Sequence, residues 1–484
     1  MPETIKEQED QPVDEELNSD IAVIGGGGTG LCAAVAAAEK GARVILLEKR
    51  GLGGNSAMAQ GFFAADSHIQ KRLNLSVPGD EVFKVAVEYG HWKINQRLFR
   101  AFVNKSADTV KWLEDKGVTI ARIHEGMKGH HRTWHCPPGG GAEVIKVLRG
   151  QCATLGVRVF IQTPATKILT DKGGNITGVL AKSGDKNYKI NCKSVVIGSG
   201  GYAGNKDLLK KYYPTYHENM HNDGVPNMGD GLLMAMELGA DTEGLGNLLL
   251  HPHIYPGIMP LRIIAREASL LWVNKLGERF TDESVGTRAP EDGNVVDRQP
   301  EKIIYVLFDD NFKNKMIAEW KIPVQGWLKG LDMKNLDADL RGEVDKGGVK
   351  IGDSWGEIAG WIGVEPSILE ATLTEYNHSC EQGYDEVFLK DKKYLKKLET
   401  PPYYAVRCVL SFLTTIGGIK INHKMEVLKN NKPFAGLYAG GDAVGGWETD
   451  TYCMVLPASA LGFALNSGRI AGENAAEYIK ANKQ

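Results

Sequence analysis

The clearest pattern of apolar and polar positions lies near the start of the chain, in SDIAVIGGGGTGLCAAVAAAEKGARVILLEKR at 19–50. Ile21–Ile24 is an unbroken apolar run of the length of a short buried strand. Gly25, Gly27 and Gly30 follow as G-x-G-x-x-G, then comes an Ala-rich helical pattern, and a second apolar run at 43–47 ends in Glu48. Each part has a physical task. Gly25 permits a tight turn, Gly27 lets the backbone approach a pyrophosphate, and Gly30 lets helix and strand pack closely. The helix start, with Gly28 and Thr29 in its first turn, turns N–H groups towards phosphate oxygens. Glu48, followed by Lys49, is placed to accept hydrogen bonds from a ribose. The order of strand, glycine turn, helix and acid predicts a dinucleotide site in an α/β fold.

Further along, the small-residue stretch at 51–66 reads as a loop and helix start crossing that site, bringing Gly54, Asn55, Ser56 and Gly61 to it. Residues 80–117 have helical periodicity. A helix, a strand with an adenosine contact at Thr163 and a hairpin region lead to a second buried run at 194–197. That run ends in Gly198, Gly200 and Gly201, so two glycine-rich strand ends suit a doubly wound parallel sheet around a large dinucleotide. Asp230 then caps a glycine turn before another helix. From about 241 to 372 charged and aromatic residues alternate and glycine-rich strand ends are missing, which reads as an inserted second domain. The style of the first domain returns from 373 to 484, with GLYAGGDAVGG at 436–446 and a long C-terminal helix pattern. The expected division is a disordered acidic lead at 1–18, a first domain at 19–240 and 373–484, and the insertion at 241–372.

Composition narrows the function. Lys+Arg 57 against Asp+Glu 60 gives a formal net charge of -3, which offers no basic footprint for nucleic acid. No apolar stretch has the length of a membrane span. The acidic N-terminus lacks the basic and apolar regions of a secretory signal, and seven cysteines without C-x-x-C spacing suit free thiols, so a cytoplasmic location is expected. Iron–sulfur clusters and c-type haem have no visible ligands. His124, His130, His131 and His135 crowd one polar segment, but their spacing fits no zinc signature, and no metal is expected.

Beyond the opening motif, GGNS at 53–56, VVIGSGGYAGN, MGDG, HPH at 251–253, VNKLGERFTDE at 273–283, IGG at 416–418 and GLYAGGDAVGG occur in order. This ordered set resembles the flavoprotein family of fumarate reductase and succinate dehydrogenase, whose branches include 3-ketosteroid dehydrogenases and soluble bacterial enoate reductases. The likeness spans 19 to about 478. It implies a Rossmann-like FAD-binding domain, that is a doubly wound parallel sheet, with an inserted α+β capping domain. It also implies FAD at the first motif, with Gly441 and Asp442 of the second glycine loop on the ribitol or pyrophosphate side. The helix start near Pro457, with Ala458 and Leu461, would face the flavin's N1–C2=O edge, where N–H groups stabilise reduced flavin. Membrane-bound relatives carry a flavin-linked histidine at the position of Ala57, so the FAD here should be non-covalent.

The departures from the family bear on substrate. His251 matches the histidine of the family's HPT motif and Arg266 an arginine of its cap segment. The acid expected three residues earlier is Ile263, the histidine expected before IGG is Thr414, and the arginine expected before the last helix falls near Val455. Without those groups a dianion would be poorly held, because unpaired buried charge is costly. In their place stands WETDTYCMVLPASALG, where the spacing of Tyr452 to Pro457 resembles the tyrosine loop of steroid and enoate enzymes. A tyrosine hydroxyl there can polarise a conjugated ketone; packing beneath the cap is its other use. Arg288, with Asp282 and Glu283 nearby in sequence, matches the family's proton-donating arginine after a one-residue gap, and competes with Tyr452 for that role.

The expected activity is hydride transfer between flavin N5 and an activated carbon of a small aromatic or alicyclic molecule. An NADH- or NADPH-dependent reductase of an enone, a steroid or an isoflavonoid such as tetrahydrodaidzein is the leading reading. A 3-ketosteroid dehydrogenase feeding a quinone and a non-catalytic flavin-bound electron-transfer subunit are the alternatives. Oligomeric state stays open.

Overall fold

The opening motif forms the centre of a parallel sheet. In the computed structural model the described residues are 13–125, 130–254, 257–321 and 330–482, with 251–254 described by backbone alone. The elements that carry the argument are, in chain order, β1 (Ile21–Ile24), α1 (Gly28–Glu39), β2 (Val44–Leu47), β3 (Arg158–Phe160), β4 (Ser194–Ile197) and α2 (Asp230–Glu237). There follow β5 (Leu271–Asn274), β6 (Ile303–Asp309), α3 (Pro366–Gln382), β7 (Tyr403–Thr415), β8 (Glu426–Lys429), β9 (Lys432–Ala439) and α4 (Ser459–Ala481).

Two compact units result, one of residues 1–212, 224–248 and 414–484, the other of 213–223 and 249–413. The first is built on a six-stranded sheet in the order β8-β9-β4-β1-β2-β3. All its pairs are parallel except the β8–β9 hairpin. Every residue of β1, β2 and β4 is buried, which is why these strands read as continuous apolar runs rather than alternations. On one face α1 packs against α4 at backbone distance. A Cβ on Gly468 would lie 2.2 Å from the Thr29 carbonyl oxygen, and one on Gly472 2.2 Å from that of Ala33. No side chain fits between these helices, so both glycines follow from packing.

β1 has β2 on one side and β4 on the other, which makes a topological switch point, and ligands in such sheets bind in the crevice beyond the strand ends there. A second sheet of this unit holds Glu15–Asn18 against Lys186–Asn191. The acidic lead is therefore ordered in its last four residues, because their backbone completes a sheet edge; residues 1–12 lie outside the described residues.

The second unit is α+β. Its sheet runs His221–Asn222, β7, β6, β5, with Val349–Gly352 also on β7. The boundary expected at 373 falls instead at 414. Leu369, Leu373 and Tyr376 of α3 are buried in one cluster with Leu271, Val273, Leu307 and Val409, and β7 is hydrogen-bonded along β6. The chain returns to the first unit only where β7 ends. The expected fold class holds: a Rossmann-like sheet interrupted by an inserted α+β unit.

Candidate cofactor site

The switch point opens as a cleft. Its walls include Gly25–Thr29 at 25–29, the strand end at 47–51, residues 54–56, Gly198–Gly200 at 198–200, Asp230 and Asp442. Gly25 turns the chain with φ +103°, and a Cβ there would sit 2.4 Å from the Gly198 carbonyl oxygen. A Cβ on Gly30 would lie 1.8 Å from the oxygen of Gly25, so Gly30 serves packing alone and does not line the cleft. Gly27 differs. A Cβ on it would meet no protein atom closer than 3.7 Å, so the space it leaves open belongs to the cleft.

The N-terminus of α1 suits a dinucleotide. Its Ncap residue, Gly27, has no side chain to cap it, and its first turn holds no acid. Only the Gly28 N–H is taken by a neighbouring side chain, at 3.0 Å from Ser56 Oγ. A helix end without a protein anion suits pyrophosphate. Glu48 stands at the end of β2, its carboxylate accepting the N–H of Gly26 and that of Arg50, both at 2.6 Å. These bonds fix the carboxylate at the cleft wall, where it can also receive ribose hydroxyls. Lys49 and Asp230 close the lip as an ion pair at 2.9 Å. Asn55 accepts the Val225 N–H at 2.6 Å and ties the loop before α2 to the same wall. At the other end Asp442 is half-buried on the cleft wall, accepts from Thr414 Oγ1 at 2.9 Å, and has its pKa pushed up to about 6 by desolvation. The residues present therefore fit FAD: α1 for the phosphates, Glu48 for the ribose, Asp442 for the flavin's hydroxylated chain.

Several expected contacts lie elsewhere. Thr163 turns its hydroxyl to the Ile161 carbonyl at 2.9 Å, and its neighbours Pro164 and Ala165 line the cleft instead. Gly200 is on the wall, with φ +74°. Gly61, Gly201 and Gly441 are not; a Cβ on each would come within 2.2 Å of His135 O, Thr415 Oγ1 and Thr29 Oγ1 respectively. Their glycine identity follows from tight packing, which a local motif does not distinguish from ligand approach. Ala458 precedes α4 at φ +69°, and Leu461 is buried in its first turn. Residues not anticipated from sequence are Ser199, Asn227 and Ala464 on the wall. Ser199 stands between two glycines of the second strand end, and Asn227 three residues before Asp230, so each had a signal beside it.

Tyr452 is not on the cleft wall. It is buried, and its hydroxyl accepts the Ala460 N–H at 2.9 Å, capping the first turn of α4 where Ala458 offers no side-chain acceptor. Trp447, in the same loop, is fully buried and stacked on Phe463 at 4.6 Å.

In the second unit His251 lies on the strand Leu248–Ile254, and its side chain is outside the described residues. Arg266 donates to the Gly286 carbonyl at 2.9 Å and pairs at 2.9 Å with Asp292, whose pKa burial pushes up to about 7. Arg288 closes the short turn Glu283–Thr287 and is exposed. The acids beside it in sequence are engaged elsewhere. Asp282 caps the turn through Ser284 N at 2.9 Å, and Glu283 is buried against Arg279 and Lys390. Among the described residues no three His, Cys, Asp or Glu side chains gather as a metal site, and no helix is long and apolar enough to cross a membrane.

A parallel sheet whose glycine-rich strand ends meet at this cleft defines a dinucleotide-binding flavoprotein. Residues 20–451 match the family model described as FAD binding domain, and the chain belongs to that family, among the flavoproteins of the fumarate reductase type. It is an FAD-dependent oxidoreductase. It is 32% identical over 479 residues to a vinyl phenol reductase of Lactiplantibacillus plantarum, covering 95% of this chain and 96% of that one. A flavocytochrome c3 fumarate reductase in its open conformation superposes with a TM-score of 0.76 at 27% identity, over 96% of this chain and 79% of that one. A 3-ketosteroid delta1-dehydrogenase of Sterolibacterium denitrificans shares the fold, with a TM-score of 0.77 at 18% identity over 95% and 99% of the two chains.

Proposed function

We propose that this protein reduces an activated carbon–carbon double bond in a neutral, ring-bearing molecule, with non-covalent FAD and NADH or NADPH as donor. The observation that carries the substrate class is the replacement of dicarboxylate-holding groups by Ile263, Thr414 and Val455, with the Thr414 hydroxyl already committed to Asp442. A site without those charges favours an uncharged ring over a dianion. The vinyl phenol reductase relative supports the same class, since its named substrate is a neutral arene bearing a vinyl group. Ala57 lacks any atom that could bond covalently to a flavin.

Bound flavin supplies a hydride from N5. The alkene gains that hydride at one carbon and a proton at the other, so two electrons and two protons in all saturate the bond. Arg288 is the proton donor in this reading. It is exposed, and no ion pair occupies its guanidinium among the described residues. Tyr452 is not given that role, because it is buried off the cleft wall with its oxygen accepting the Ala460 N–H at the start of α4.

The test is anaerobic stopped-flow on FAD-loaded protein. NADH or NADPH should bleach the flavin, and vinyl arenes, enones or isoflavonoids should restore its absorbance with saturated product. Failure of both nicotinamides, together with quinone reoxidation of flavin reduced by a 3-ketosteroid, would assign the dehydrogenase direction instead.

A further inference from the structure

The cofactor cleft is bridged, within the first unit, by residues 224–229, which form neither helix nor strand and lead into α2. On one side they lie against the turn that follows β4. Gly204 donates its N–H to the Asn227 carbonyl at 2.7 Å, and Asn205 Nδ2 donates to that of Met228 at 3.0 Å. A Cβ on Gly200 would lie 2.4 Å from Asn227 Nδ2, and one on Gly204 2.7 Å from the carbonyl carbon of Pro226. On the other side the same run reaches the end of β2. Val225 donates its N–H to Asn55 Oδ1 at 2.6 Å, and Arg50 Nη2 donates to the Pro226 carbonyl at 2.9 Å. Asp230, the first residue of α2, pairs with Lys49 at 2.9 Å.

β1 stands between β4 and β2 in the sheet. At about 4.8 Å between neighbouring strands, the run spans roughly 10 Å across the end of β1. Val225, Asn227, Met228 and Asp230 line the cleft together with Glu48 and the glycine turn at 25–29, the groups that suit ribose and pyrophosphate. A dinucleotide seated on those groups therefore has this run on its way in and out. The two fastenings differ in kind. The one after β4 is close packing of backbone on backbone, with Gly229 in a left-handed turn, at φ +82°, against Tyr202 and Leu208. The one at β2 is an ion pair with side chains 43% and 41% exposed, and two hydrogen bonds to loop side chains. Exposed pairs of this kind are weak, and they break and re-form readily.

We propose that residues 224–229 are a strap over the FAD cleft, hinged on the turn at 200–205 and latched to Lys49, Arg50 and Asn55, and that the latch opens for FAD to enter or leave. The inference rests on the FAD reading of the cleft. A latch obstructs both directions alike. Breaking it speeds uptake and release together and leaves affinity nearly unchanged. A side chain that only touches bound FAD alters release alone. Asp230 separates the two roles by sign, because removing an acid from beside phosphates slows release, whereas unlatching the strap speeds it.

FAD uptake by flavin-stripped protein, and FAD release after rapid dilution of the loaded protein, would be followed by flavin fluorescence in a stopped-flow instrument. In Asp230→Asn both rate constants should rise about threefold, with Kd within about twofold of wild type. In Asp230→Lys, where two cations repel, release should quicken about tenfold. Exchanging the pair, Lys49→Asp with Asp230→Lys, should bring release back to within about twofold of wild type. Unchanged or slower release in Asp230→Asn, faster release with unchanged uptake, or an exchanged pair as fast as Asp230→Lys alone would overturn the proposal. If the variants do not fold, hydrogen exchange of wild type decides. The latched Val225 amide should exchange faster than the Gly204 amide on the hinge side, and FAD should slow it about tenfold. A Val225 amide that exchanges no faster than that of Gly204, or is indifferent to FAD, refutes the latch. Wild type that takes up no FAD would sink the FAD reading itself, whereas FAD exchange indifferent to the Lys49–Asp230 pair sinks only this inference.

Discussion

Replacing Glu283 by glutamine tests how the second unit is held together. The Glu283 carboxylate is fully buried and faces two cations, Arg279 at 2.9 Å and Lys390 at 3.0 Å. Arg279 also pairs with Asp385 at 2.7 Å and lies over the rings of Phe388 and Tyr376. Lys390 further donates to the Leu270 carbonyl at 2.8 Å. Two buried cations are thus balanced by two carboxylates. Glu283→Gln keeps the shape and removes one negative charge, leaving two cations to one acid. Breaking a buried pair in this way costs about 3–5 kcal/mol. At roughly 2–4 °C per kcal/mol for a unit of this size, the apparent Tm should fall by about 6–20 °C. The assay is thermal unfolding by circular dichroism at fixed protein and FAD concentration, because ligand binding itself shifts Tm. Adding Lys390→Met to Glu283→Gln restores the charge balance and should recover most of the loss. A single variant within about 2 °C of wild type, or a double variant worse than the single one, would refute the account of a balanced buried network.

Four further outcomes follow from the first unit. Gly30→Ala puts a methyl 1.8 Å from the Gly25 oxygen, so the purified variant should lack flavin absorbance and unfold below wild type; a variant that retains FAD at wild-type affinity would show that the turn can yield. Tyr452→Phe removes a helix cap, at a cost of about 0.5–2 kcal/mol, while leaving turnover near wild type. A large loss of turnover at unchanged Tm would return Tyr452 to the chemistry. His135 is buried neutral, bonded to Ser67 at 2.8 Å, with a pKa lowered to about 4 by burial. The unfolded chain takes up this proton near 6.5, so stability present above that pH is lost as pH falls towards 4, and His135→Gln should flatten the decline in pH-dependent urea unfolding. Asp442, raised to about 6, has the opposite sign in the FAD-free protein. Its contribution turns unfavourable as pH rises from about 4 to 6, and Asp442→Asn should remove that slope.

The sequence by itself determined the elements whose causes are local. An apolar run, a glycine turn, an Ala-rich helix and a terminal acid sit within 32 residues at 19–50, and the structure arranges them as β1, α1 and β2 with Glu48 on the cleft wall. The class of cofactor was legible there because turn, helix start and acid are set by neighbours along the chain. Tertiary structure alone decided which glycines face the cleft. Gly27 and Gly200 do, whereas Gly30, Gly61, Gly201 and Gly441 are glycine because distant atoms leave no room for a Cβ. It also decided where the insertion ends. The periodicity of α3 marks an apolar face without saying which core that face meets, and the partners at Leu271, Leu307 and Val409 are remote in sequence. The same holds for Tyr452. Its residue type suits an acid or a cap equally, and only the approach of the Ala460 N–H, eight residues on, commits its hydroxyl to the helix.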